Sequence, residues 1–262
     1  MLGLGNSLTS SGYSAEDWYS GASIRLDGTD DFVEFTDSSS FTPGANSASG
    51  FSFSIWVRFL STIGTSNQRI MSKRPTSGSS GIEWAFQTNS ASKPRFLVFF
   101  GSSTGNKIRF DMNATLSHST WYNIIVAWDL SKNDNTGITG WVNGTEYAGG
   151  TAASTYIGYS GSDNVENGGE PLRVGRSINT YGGGHVDELS FYNYQVDSTA
   201  AANIYNDGVP ANRILDDGLI FYSRMGENID ALDNLVDERA PGVVLGSMKN
   251  GAGIDVDAYA GQ

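Results

Sequence analysis

The strongest constraint on this chain is a nine-residue alternation, "FSFSIWVRF" at 51–59. An extended strand gathers Phe51, Phe53, Ile55, Val57 and Phe59 on one face and leaves Ser52, Ser54 and Arg58 on the other. A helix would scatter the same residues around its axis, so the period of 2 marks a half-buried strand. Comparable runs recur as "IEWAFQT" (82–88), "RFLVFF" (95–100), "KIRFDM" (107–112), "WYNIIVAWD" (121–129), "TGWVNG" (139–144) and "PLRVG" (171–175). Turn clusters such as "SGSSG", "GSSTGN" and "VNGTE" separate them, and 33 Gly against 6 Pro suits many tight turns. Short strands joined by Gly/Asn turns predict an all-β fold, a two-sheet antiparallel sandwich rather than βαβ units. One short helix is predicted in "DSTAAANIYNDG" (197–208), with Asp197 or Ser198 as N-cap and Gly208 as its stop. A further strand is read in "DDGLIFYSRMG" (216–226).

At 262 residues this fits one sandwich domain over 21–226, an N-terminal arm over 1–20 and a C-terminal extension over 227–262. The extension is read as completing the sheet, contacting partners, or beginning a truncated second unit. The opening "MLGLGNSLTSSGYS" has neither the basic region nor the long apolar core of a secretory signal. No run approaches the ~18 apolar residues of a membrane span. With no cysteine, disulfides, thiolate metal sites and cysteine nucleophiles are excluded. A formal net charge of −12 disfavours nucleic acid and anionic membrane surfaces as partners.

In "GGGHVDELSFYN" (182–193) Asp187 alternates in phase with Leu189 and Phe191, which puts an acid on a face its neighbours bury. "SIRLDGTDDFVEF" (23–35) carries three more aspartates, Asp27, Asp30 and Asp31, around a glycine turn. A buried carboxylate needs a cation or hydrogen bonds to offset desolvation. Calcium, which takes six to eight oxygens in irregular geometry, answers that need. Backbone N–H donors or an arginine such as Arg25 answer it equally well.

In order, "IRLDGTDDFVEF", "FSFSIWVRF", "IMSKR" (70–74), "STWYNIIVAWD" (119–129), "GWVNGTEY" (140–147), "LRVGR" (172–176) and "GGGHVDELSFYNYQVDSTAAANIYNDG" (182–208) run through the chain. Together they resemble the laminin-G-like jelly roll of the concanavalin A-like superfamily, in its pentraxin-related branch. The resemblance covers roughly 23–208. It implies two stacked antiparallel sheets and a recognition or assembly module that is often non-catalytic. It also implies that the Asp-Gly turn and the Asp-Glu strand lie close together around a structural calcium, with Asp27 and Asp187 as ligands and Asp30 or Asp31 as additions.

The glucanase branch of that superfamily carries its carboxyls as Glu-x-Asp-x-x-Glu on one strand, and no such run occurs in this sequence. The chain is therefore not expected to be an enzyme. His118 and His185 belong to no Ser/His/Asp pattern. A glycan platform needs an exposed aromatic with polar partners; the loop "TYIGYSGSDNVENGGE" (155–170) offers Tyr156 and Tyr159, and Tyr181 lies nearby. Trp84 and Trp128 are possible platforms too, although most tryptophans are expected in the core.

The opening "MLGLGNSL" followed by a jelly roll resembles bacteriophage virion proteins. It implies a decoration, fibre or tail-appendage protein on the virion surface, whose partners are other virion proteins, copies of itself and a cell-surface glycan. Trp18 and Tyr19 of the arm are the expected partner contacts. The alternative is an extracellular or cell-surface carbohydrate-binding and adhesion module of a bacterium; a glycoside hydrolase ranks last.

Overall fold

The computed structural model describes residues 21–45, 49–60, 67–78, 80–101, 103–132, 134–149, 165–227, 234–239 and 245–255. In chain order the strands are β1 (Ser23–Asp27), β2 (Phe32–Phe35), β3 (Gly50–Phe59), β4 (Arg69–Lys73), β5 (Trp84–Thr88), β6 (Pro94–Phe100), β7 (Ser103–Asp111), β8 (Trp121–Asp129) and β9 (Ile138–Val142). They continue as β10 (Thr145–Ala148), β11 (Leu172–Val174), β12 (Arg176–Ser177), β13 (Thr180–Tyr181), β14 (Gly183–Tyr192), β15 (Leu219–Ser223), β16 (Asn234–Val236), β17 (Leu245–Lys249) and β18 (Gly253–Asp255). Among the described residues the one α-helix is α1 (Ser198–Tyr205). No helix there is long and apolar enough to cross a membrane.

Two antiparallel sheets face each other. The first runs β10-β9-β8-β3-β14-β1-β18, with β15 also paired to β14; the second runs β16-β17-β2-β11-β4-β5-β6-β7. The all-β sandwich expected from the alternation is therefore the fold. The apolar phase of β3 faces inward, and Phe53, fully buried, meets the rings of Trp84, Phe86, Phe96 and Phe191 at centroid distances of 5.2–5.9 Å. Residues beyond 226 finish both sheets: β17 pairs with β2 and β18 with β1.

One phase expectation fails. Val186 as well as Leu189 and Phe191 belongs to the core, because the register against β3 slips between Asp187 and Ser190. Such a bulge inserts an extra residue and flips the alternation. Asp187 thus sits opposite Trp56 on the outer side of the sheet, and is buried there rather than in the sandwich interior.

Candidate ligand-binding site

The polar phase of β3 points away from the core, and α1 packs on that outer surface. Asp197 caps the helix by accepting the Ala200 N–H at 2.8 Å. Ala201 and Ile204 then pack on Ile125, Trp141 and Tyr192. A left-handed Asn206 ends the helix, leaving Tyr205 as its last residue. The Tyr205 ring lies over Trp56, with centroids 6.0 Å apart and planes at 26°. The β9–β10 hairpin turns through left-handed Asn143 and Gly144 (φ 48° and 74°). A Cβ at Gly144 would sit 2.9 Å from the Tyr205 ring, so the bare glycine is what admits the tyrosine.

Beyond the helix end the outer surface opens into a pocket of about 350 Å³. Trp56, Trp121 and Tyr205 supply its aromatic walls; Arg58, Ser119, Thr120 and Asn143 supply polar groups, and Gly208 closes the rim. Trp121 and Tyr205 are half-buried, so ring surface is presented to the pocket. The Trp121 indole N–H is shielded and meets no acceptor. No carboxylate lines the pocket.

The acids gather elsewhere, in two groups. Strand β14 pairs with β1 through Gly183–Val186 and with β15 through Leu189–Tyr192. Asp187 and Glu188 occupy the bulge where one neighbour gives way to the other. Glu227 enters the same gap, its Oε1 accepting the N–H groups of Gly21 and Ala22. Carboxylate oxygens of Asp187, Glu188 and Glu227 lie within 4.8 Å of one another. Tyr222 donates its hydroxyl to Glu188 Oε2, and Asp187 Oδ1 accepts the Glu188 N–H. Glu188 Oε1 and Glu227 Oε2 are buried and have no hydrogen-bond partner among the described residues. Burial, then the charge of Asp187, pushes the Glu188 carboxyl well above its ordinary range. A hard cation with oxygen ligands fits this set: it would neutralise clustered charge and occupy the orphaned acceptors.

The second group is Asp27, Asp30 and Asp31, also within 4.8 Å. Two of its oxygens are already engaged. Asp27 Oδ1 accepts from the N–H groups of Thr29, Asp30 and Asp31 at 2.7–3.4 Å, and Asp31 Oδ2 accepts the Asp27 N–H. The backbone bond from Thr29 leads in holding the Asp27 carboxyl below its usual value. The expected meeting of Asp27 with Asp187 does not form. Asp27 pairs with Gly183, which places Asp187 about 13 Å further along β14 at the rise of a strand. Arg25, the other suggested partner, pairs in register with His185.

Tyr181 is half-buried, its ring tilted at 46° to that of Phe32 with centroids 6.3 Å apart, and the Arg176 guanidinium sits 5.4 Å from its ring. Tyr156, Tyr159, Trp18 and Tyr19 lie outside the described residues. Trp84 and Trp128 are core residues. His118 is exposed in a turn, whereas His185 is buried beside Ser23. The sequence reading missed Trp56, Trp121 and Tyr205, although Trp56 carried a signal: an aromatic on the serine face of "FSFSIWVRF". It also missed Glu188 and Glu227, which are brought together across α1 and β15.

Residues 27–202 match the family model of the concanavalin A-like lectin/glucanases superfamily. No curated protein matches the chain in sequence. Among solved structures, a proposed carbohydrate binding protein from Bacteroides ovatus aligns with a TM-score of 0.59 and 16% identity over 92% of this chain. The chain spans 62% of that protein's length. A heptameric pentraxin from Limulus polyphemus aligns with a TM-score of 0.47 and 9% identity, over 77% of this chain and 91% of its own. The first of these likenesses speaks to the fold alone. With two thirds of its length matched in order and both sheets in place, the chain belongs to the concanavalin A-like lectin/glucanases superfamily.

Proposed function

We propose that this chain is a non-catalytic glycan-binding module whose binding surface is the pocket at the end of α1. The observation that carries the proposal is the pairing of ring faces on Trp121 and Tyr205 with the polar groups of Arg58, Ser119, Thr120 and Asn143 in one rigid concavity. Sugar rings stack on aromatic faces while their hydroxyls need directed donors and acceptors, and a concave, aromatic-walled site with few polar groups supplies both. The Bacteroides ovatus structure, described as a proposed carbohydrate binding protein, is consistent with this use of the fold. Hydrolysis is disfavoured because retaining enzymes need two carboxyls ~5–5.5 Å apart flanking the sugar. No carboxylate lines the pocket, and the buried acid group is walled in: the space beside Glu188 amounts to about 10 Å³, scarcely one water. Glycan-array binding by the full chain, lost in Trp121→Ala and Tyr205→Ala, tests the proposal. An array on which nothing binds refutes it.

A structural calcium belongs to the same proposal, assigned to Asp187, Glu188 and Glu227 because two buried oxygens there lack partners. The virion setting rests on the resemblance of the "MLGLGNSL" segment to phage proteins. Imaging of particles for density at symmetric positions tests it, and the module would then serve attachment to a host-surface glycan.

A further inference from the structure

We propose that the pocket selects a sugar bearing a carboxylate, held by Arg58; this rests on the glycan-binding reading above. Arg58 is the one charged residue of the lining. Its guanidinium makes no ion pair or side-chain hydrogen bond among the described residues, whereas Arg95, Arg109, Arg173 and Arg213 each face a carboxylate within 4.0 Å. In a chain with 28 acidic and 16 basic side chains, acids are the surplus partner, yet none among the described residues reaches this arginine.

The charge beneath the pocket is ordered by the sheet. Pairing across β1, β14, β3 and β8 sets Arg25, His185, Arg58 and Trp121 side by side on the outer surface. Trp121 and His185 are in ring contact at 6.2 Å, which brackets Arg58 between an aromatic and an imidazole. Burial leads in pushing the His185 imidazole down; Asp255 opposes this, and the positive charges of Arg58 and Arg25 add to it. Asp255 is the acid of this row, 3.8 Å from the imidazole, and it lies outside the pocket lining, which leaves Arg58 as the charge that faces the pocket. Asp187 lies opposite Trp56 in the register, but neither it nor Glu188 lines the pocket.

Arginine is the side chain suited to this task. Its planar fork matches a carboxylate with two parallel hydrogen bonds, an arrangement stronger and more directional than a bond to a sugar hydroxyl. A ring stacked on Trp121 would bring an equatorial carboxylate towards Arg58, its cross-strand neighbour, while Ser119 and Thr120 meet hydroxyls at the rim. A volume of about 350 Å³ admits one or two sugar units, at the low end of the ~300–1,000 Å³ typical of small-ligand sites.

The test titrates the full chain with a panel of sialyl, glucuronyl and galacturonyl oligosaccharides, each beside its carboxyl-reduced counterpart, in which rings and hydroxyls are kept and the charge is removed. The wild type is expected to bind at least one acidic member ten-fold or more tightly than its reduced form, with the advantage shrinking as salt rises. Arg58→Gln is expected to bring both forms to the weaker affinity, and Arg58→Lys to restore part of the difference. Trp121→Ala is expected to weaken both forms alike, and thermal melting confirms that each variant folds. Equal binding of acidic and reduced forms, or a preference that survives in Arg58→Gln, overturns the carboxylate proposal and leaves the glycan-binding reading standing. If no member of either kind binds, the carboxylate proposal falls, and the glycan array decides the glycan-binding reading.

Discussion

Glu188 holds a left-handed backbone (φ 50°) at the centre of the buried acids, a conformation that costs a non-glycine residue about 1 kcal/mol or more. The surrounding structure fixes it from both sides, through the Tyr222 hydroxyl and the bulge against β3. Two states of this carboxylate predict opposite behaviour in Glu188→Gln. With calcium bound, chelator lowers the wild-type melting temperature by several degrees, and the variant melts lower and no longer responds. Without an ion, chelator changes nothing and the variant melts higher, because an amide carries no ionisable group to be desolvated beside Asp187. Calorimetry with and without EDTA separates the two, and the first outcome is expected. Gly144 gives a second residue-level prediction. Gly144→Ala strains a φ of 74° and pushes a methyl into Tyr205, so it costs about 1–2 kcal/mol and loosens the pocket wall. Denaturant melts should show the loss, and affinity for any glycan found on the array should fall with it.

Strands were legible where one period ran unbroken. "WYNIIVAWD" is β8 to the residue, and "FSFSIWVRF" is β3 lacking only its first glycine. Strand β14 was legible as a strand but not in phase, since a bulge is decided by what pairs on either side: β1 against one half and β15 against the other. The separation of Asp27 from Asp187 has a different cause, the register of β1 on β14, which sets Asp27 opposite Gly183. Strands β6 and β7 show a further feature that period-2 patterning does not reveal. Arg95 and Arg109 converge on Asp111 from the outer surface, at 2.7 Å and 2.5 Å. Burial pushes the Asp111 carboxyl up, but the two guanidiniums outweigh it and the net shift is downward. A carboxyl whose folded pKa is depressed stabilises the fold above its unfolded value, near 3.8, and loses that contribution as pH falls through the folded value. Asp111→Asn is therefore expected to cost about 2 kcal/mol at neutral pH, discounted for the partial exposure of both arginines. Its stability curve should meet the wild-type curve in acid; a gap that stays constant down to low pH would contradict the assignment.

At the scale of the whole molecule, the segment after residue 226 decides how the sandwich closes. Its strands are three to five residues long and lack the alternation of β3, which is why the sequence left open whether they finish a sheet or start another unit. Tertiary pairing supplies what periodicity did not: β17 lies along all of β2 (Phe32–Phe35), and β18 covers Ser23–Arg25 of β1. Glu227, at the start of the same segment, ties down Gly21 and Ala22, so one stretch of chain seals both sheets and the acidic gap. A chain ending at residue 226 would leave β1 and β2 as open edges, with unpaired N–H and C=O groups beside the buried faces of Ile24, Val33 and Phe35. It would also remove one of the three carboxylates that can hold an ion. The shortened chain is expected to melt well below the full chain, to lose its response to EDTA and to associate through the exposed edges. The pocket residues all precede the cut, so any fraction that stays monomeric should keep its glycan selectivity. Size-exclusion chromatography with calorimetry checks the first part, and glycan titration of the monomer peak checks the second. A shortened chain as stable and monomeric as the full one would show that the last strands decorate the sandwich rather than close it.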